Sequence, residues 1–394
     1  MLLVKRKDWE PADAGFKIFQ ERLLNYADMF GELSRNFNEE FQYDGEDRQG
    51  ILEARQKWES RYLIGNNLAQ VASLMEGIAT DMINIHKVFP HKKKSLEQYL
   101  RAEGIELEDI CCMQSDAGEE IYCAYLRSKS GEDLSVGRAV KAFSVTFDKS
   151  YQIGSTSPQY IRSKPQLFRF VKKMPLMALT GYARVIKEGE KISGDTYSFW
   201  ESENGRLTAI LADGTGSGEK ASVESTNVVE HLERMLETGI GVETAIRLLN
   251  SSYSVCGVGW NHPTLDICDI DLHSGEVAFL KLGGAASFIR RESGVEVIRG
   301  GMLPVGSFPD MHVCIGNKRV QNGDYIIMVS DGVVDAFAQG QYEEAVKGVL
   351  MGVQEYHPEV IAEELLRSAI CAEGGHIRDD MTVLVIGIWE KNTG

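Results

Sequence analysis

The sequence predicts an α+β chain whose C-terminal half is a four-layer α/β/β/α body, preceded by a helical segment and a small α/β module. Three observations support this. Apolar residues recur at spacings of three and four over the first ninety residues, the period of helices with one apolar stripe. Glycine-punctuated mixed structure follows to about residue 175. From there to residue 392, many short apolar strands are interrupted by widely spaced helices. That order fits neither alternating βαβ units nor a single sandwich, but it fits two sheets that meet face to face with helices on their outer faces. The division expected is therefore 1–90, 91–175 and 176–392.

In the first segment, Phe16, Phe19, Leu23, Tyr26, Ala27, Phe30 and Leu33 form one stripe within residues 13–41. A second stretch after the Asp44-Gly45-Glu46 break carries Ile51, Trp58, Tyr62, Leu68, Val71, Leu74, Met75, Ile78, Met82 and Ile85. Such a pair makes a helical hairpin or a short coiled coil with a second copy. In the middle module the reading gives a helix at 96–102, strands at 120–127 and 144–147, and a loop over 151–164. In the last segment it gives strands at 176–186, 197–201, 206–211, 264–271, 276–281, 287–289, 311–315, 324–329 and 381–388. Helices are expected at 219–237, 241–253, 343–351 and 358–371.

Composition narrows the function classes. A chain of 394 residues with 43% hydrophobic and 25% charged residues is ordinary globular material, long enough for two or three cores. A formal charge of −16 argues against a general nucleic-acid binder, and the short basic run at His91-Lys92-Lys93-Lys94 reads as a solvated helix start or loop. Seven cysteines, an odd number with Cys111 and Cys112 adjacent, form no disulfide framework and suggest a reducing compartment. No secretion signal or run of about 20 apolar residues is present, so no transmembrane segment is expected. The expected location is cytoplasmic, either as a soluble protein or as the cytosolic part of a membrane protein.

Four short acidic motifs sit where predicted strands begin or end: Ser193-Gly194-Asp195, Ala212-Asp213-Gly214, Ser330-Asp331-Gly332 and Arg378-Asp379-Asp380-Met381. Each aspartate alone reads as a turn residue or strand cap. Four carboxylates converging without cations would repel one another and lose hydration, whereas hard divalent ions take oxygen ligands. The glycines after Asp213 also fit a tight turn into a helix. A calcium loop is a poor fit, because Thr215 and Ser217 stand where Asp or Asn belongs and a strand precedes the loop. Nucleotide-binding loop patterns are not satisfied.

Taken in order, Ser193-Gly194-Asp195-Thr196-Tyr197, Leu211-Ala212-Asp213-Gly214-Thr215-Gly216-Ser217-Gly218, Val329-Ser330-Asp331-Gly332-Val333 and Ile377 to Val383 resemble the bacterial branch of the metal-dependent PP2C-like serine/threonine phosphatases. More narrowly, they resemble its sporulation-associated members in endospore-forming bacteria. The catalytic resemblance spans about 176–390. It implies two or more Mn²⁺ or Mg²⁺ ions, with Mn²⁺ favoured. Asp213 would bridge two ions, the Gly214 carbonyl would bind one of them, Asp331 and Asp380 would complete the other, and Asp195 would bind the Gly214-side ion directly or through water. Asp379 is expected in a supporting role. The acidic residue that eukaryotic relatives place before Asp195 is here Gly194. The implied reaction is direct hydrolysis by an activated water, with no Cys or Ser nucleophile.

The resemblance further implies a phosphorylated anti-sigma factor antagonist as substrate, a link to the division protein FtsZ at the septum, a homodimer, and regulation through the helices after Asp213. The alternative is a catalytically weak scaffold on the same fold, coupling division proteins to signalling. His376, near Asp379 and Asp380, is a candidate proton donor. His231, His262, His273 and His312 are read as surface, turn or packing residues. The Leu282-Gly283-Gly284-Ala285-Ala286 turn resembles one at the active-site rim.

Overall fold

The computed structural model describes residues 14–37, 48–83, 85–114, 120–154, 156–202, 205–238, 240–255, 263–300, 304–306, 314–337 and 342–391. They belong to two compact units, one comprising residues up to 33 with 71–173, the other 34–70 with 174 onward. Two long helices open the chain, α1 (Ala14–Phe37) and α2 (Arg48–Ile83). Within the second unit, Arg61 Nη2 donates to the Asn36 carbonyl at 3.1 Å, and its guanidinium lies 5.9 Å from the Phe37 ring centroid.

The first unit carries β1 (Ile85–Lys87), α3 (Pro90–Ala102), β2 (Ile105–Gln114), β3 (Glu120–Ser128), β4 (Leu134–Ser135), α4 (Gly137–Phe147), β5 (Tyr151–Ile153), β6 (Tyr160–Ile161) and β7 (Gln166–Lys172). Its main sheet runs in the order β1-β2-β3-β7-β5. One face packs on α3 and α4 through Leu96, Leu100, Ala139, Phe143, Phe168 and Phe170.

The strand expected at 144–147 is instead the last turn of α4. Ala139, Ala142, Phe143 and Thr146 are buried at spacings of three and four, so the helical stripe outweighs the β-propensity of Val145, Thr146 and Phe147. The expected loop over 151–164 contains the short strands β5 and β6. Strand β2 is an addition. Its acidic residues and the register shift between Leu107 and Asp109 hide the period of two.

The second unit is the four-layer body that the sequence predicts. Its strands are β8 (Leu176–Val185), β9 (Asp195–Glu201), β10 (Arg206–Asp213), β11 (Thr264–Asp271), β12 (Glu276–Leu282), β13 (Ser287–Arg291), β14 (Gly294–Ile298), β15 (Cys314–Arg319), β16 (Tyr325–Val329) and β17 (Met381–Glu390). Its helices after Asp213 are α5 (Glu219–Glu237), α6 (Val242–Val255), α7 (Asp331–Asp335), α8 (Tyr342–Gly352) and α9 (Pro358–Ala372). Two antiparallel sheets result, β15-β12-β11-β10-β9 and β14-β13-β16-β17-β8. The strand expected at 311–315 begins among residues outside those described.

Alternation along each strand sorts the core. Leu207, Ala209 and Leu211 of β10 meet Ile326 and Met328 of β16 and Leu384, Ile386 and Ile388 of β17 between the sheets. Ile210 and Ala212 face outward onto Val228, Leu232 and Leu236 of α5 and Ile246 and Leu249 of α6. Ile327, Val383 and Val385 face outward onto Val346 and Leu350 of α8 and Ile361 and Leu365 of α9.

Candidate active site

The same alternation places the acidic residues. Asp213 continues the inner-face series Leu207, Ala209 and Leu211 of β10. Asp195 has the parity of Tyr197 and Phe199 of β9, which pack into the inter-sheet core. Register then sets Asp195 and Asp213 opposite each other at the same end of adjacent strands. From the other sheet, Asp331 is the first residue of α7, directly after β16, and Asp379 and Asp380 immediately precede β17. The two sheets are tied at this edge by Thr382 Oγ1, which donates to Asp195 Oδ2 at 2.6 Å, while within one sheet the Thr382 N–H donates to Ser330 Oγ at 2.9 Å.

Burial raises Asp195 to about 7. The hydroxyls of Thr382 and Ser330 oppose that rise, and the charges of Asp331 and Asp380 add to it. Burial also pushes Asp213 up to about 11, reinforced by Asp331 beside it and by the charges of Asp195 and Asp379. Asp195 Oδ1 is buried with no hydrogen-bond partner. Crowded carboxylates with an orphaned oxygen are a donor set suited to hard cations. Among the described residues, no three His, Cys, Asp or Glu side chains are already gathered as an ion's ligands.

Asp380 is engaged by two backbone donors. Its Oδ1 accepts the Lys187 N–H at 3.0 Å and its Oδ2 the Gly194 N–H at 2.7 Å, so both oxygens hold down the segment before β9. Asp379 is half-buried. Burial raises its pKa, and Asp331 is among the charges that add to the rise. His376 is exposed, with Nδ1 3.5 Å from Glu188 Oε1. His262 and His312 lie outside the described residues.

Sequence reasoning missed a polar cluster beside the site. Asp266 of β11, Lys281 of β12 and Ser287 of β13 share the inner face and are almost fully buried. Lys281 Nζ bonds Asp266 Oδ2, Ser287 Oγ at 2.7 Å and the Ala285 carbonyl at 2.8 Å. Ser287 Oγ also donates to Asp266 Oδ2 at 2.9 Å. The cluster bridges the two sheets next to the small-residue turn, where Gly283 adopts φ +77°.

The fold is that of the PP2C-like phosphatase domains. A solved structure of the PP2C phosphatase domain and a fragment of the regulatory domain of SpoIIE from Bacillus subtilis matches with a TM-score of 0.63 at 25% identity, covering 88% of this chain and all of that one. Residues 203–389 match the family model for stage II sporulation protein E, and this part of the chain is homologous to that protein. Identity is 34% over 215 residues with stage II sporulation protein E of Bacillus subtilis (strain 168), covering 54% of this chain and 26% of that protein. With the Priestia megaterium protein it is 36% over 207 residues, covering 52% and 35%. The matched region is thus about a third or less of those relatives' length. Among the described residues, no helix is long and apolar enough to cross a membrane.

Proposed function

We propose that the chain is a metal-dependent protein serine/threonine phosphatase. The observation that carries this reading is the placing of Asp195, Asp213 and Asp331 at one edge of the inter-sheet core, where each of the other two adds to the rise in the Asp213 pKa and Asp195 Oδ1 is left without a partner. Bound divalent cations, Mn²⁺ in preference to Mg²⁺, would supply Lewis acidity for attack of water on phosphorus. Asp213, Asp331, Asp195 and the Gly214 carbonyl would hold them. Thr382 and Ser330 favour the ionised form of Asp195 through their hydroxyls. The test is phosphate release from a serine-phosphorylated anti-sigma factor antagonist in Mn²⁺, Mg²⁺ or EDTA. Folded protein that turns over in none of these, or equally well in EDTA, rejects the reading.

Asp379 is proposed as the fourth cation-holding carboxylate in place of Asp380, because Asp380 already accepts two backbone N–H groups. Asp379→Asn is expected to raise the Mn²⁺ concentration needed for half-maximal activity by about 10–100-fold with little change in unfolding midpoint. Asp380→Asn is expected to lower stability by about 1–3 kcal/mol, because one of its two backbone donors loses its acceptor. Isothermal titration and urea unfolding of both variants separate the two roles.

Gly214 is required sterically. A Cβ there would run into the backbone of Ala221 in α5. Gly214→Ala is therefore expected to displace the loop after Asp213 and weaken Mn²⁺ binding by about 10–100-fold, read by calorimetry.

The wider role follows the homology. We propose residues 1–175 as a regulatory part and the anti-sigma factor antagonist as substrate, with sigma factor activation during sporulation as the outcome. An FtsZ link and placement as the cytosolic part of a membrane protein at the division septum belong to the same proposal. A homodimer is also proposed, since Leu24, Tyr26, Met29 and Leu33 of α1 leave apolar surface exposed.

A further inference from the structure

Cys111 on β2 and Cys123 on β3 lie outside the site described above. Antiparallel register sets them directly opposite each other. Residues so placed have Cα atoms about 4.5–5.5 Å apart, within the span that a disulfide bridges. They share one sheet face with Met113, Ile121, Leu167 and Val171 in a small apolar cluster. This face is opposite the one packed on α3 and α4. The neighbouring Cys112 points to that other face, among Tyr122 and Phe143, so the pleat keeps it from pairing with Cys111.

On this face Cys123 Sγ donates to Met113 Sδ at 3.7 Å, and Cys111 packs in the same cluster. Cys123 beside it and then burial hold the Cys111 thiol well above its ordinary range. Cys111 is partly exposed, whereas Cys123 is buried.

We propose that Cys111 and Cys123 form a reversible dithiol–disulfide site whose oxidant is a low-molecular-weight disulfide. Cys111, the accessible member, loses its proton and attacks one sulfur of the reagent. The reagent's S–S bond breaks, and the first small thiol leaves with a proton. Cys123 then loses its proton and attacks the Cys111 sulfur of the mixed disulfide, expelling the second small thiol. Two protein thiols are oxidised, and one small disulfide is reduced to two thiols. The scarcity of Cys111 thiolate makes the first step slow, and the facing register of the two residues makes the second fast.

The experiment equilibrates the full chain with glutathione disulfide and glutathione at varied ratios, quenches with acid and alkylating reagent, and maps peptides by mass spectrometry. The expected product is a Cys111–Cys123 cross-link, reversed by dithiothreitol, with no glutathione adduct on Cys111. In Cys123→Ser the Cys111–glutathione adduct becomes the main product of the pair. The proposal is overturned if the parent chain keeps a glutathione adduct on Cys111, if Cys111 links to Cys112, or if both thiols stay reduced when the exposed Cys371 is fully modified. The parent chain alone decides among these outcomes, so the test does not depend on the variant folding.

Discussion

Asp213→Asn is expected to reduce metal-dependent phosphate release by at least about 10²–10³-fold, the loss typical when one preorganised electrostatic group is removed from an active site. Asp213 ends β10 on the inner face, opposite Asp195, and Asp331 is among the groups that raise its pKa. An amide keeps the shape but removes the charge that balances a cation. It also relieves repulsion among the remaining carboxylates, so the folded state is expected to survive or gain stability without metal. The paired measurement is turnover in Mn²⁺ beside urea unfolding in EDTA. Lost turnover with retained stability fits a cation-holding role, whereas lost stability would make Asp213 structural.

Lys281→Met is expected to destabilise the second unit by about 3–5 kcal/mol, the range for removing one partner of a buried ion pair. The substitution leaves Asp266 buried among apolar residues, with Ser287 Oγ as its remaining donor. Asp266 Oδ1 already lacks a partner, which adds to the cost. The double variant Lys281→Met, Asp266→Leu is expected to recover much of the loss, because no uncompensated charge then remains. Chemical denaturation of the two single variants and the double measures the coupling. Additive losses would show that the pair does not act as a unit.

The four-layer order was legible because each strand of the second unit carries its own apolar alternation and each helix its own stripe. The placement of Asp195, Asp213 and Asp331 at strand ends was legible for a related reason: each stands in a short motif next to an apolar strand. The backbone donors that engage Asp380 were not, since they come from a distant segment of the chain. Only the folded chain brings Lys187 and Gly194 to the carboxylate of Asp380.

Misread elements have equally local causes. Residues 144–147 have strand-forming side chains, yet their burial follows the period of α4. Strand β2 carries Glu106, Glu108 and Asp109, which lower its β-propensity, and a register shift interrupts its alternation.

The sequence by itself determined the periodicities, and with them the layers, the two opposing sheets and the strand ends that carry aspartates. Tertiary structure alone decided which distant polar groups meet. The Lys281–Asp266 ion pair and the facing of Cys111 and Cys123 depend on strand register, which pairs residues apart in the chain and leaves no local pattern to read.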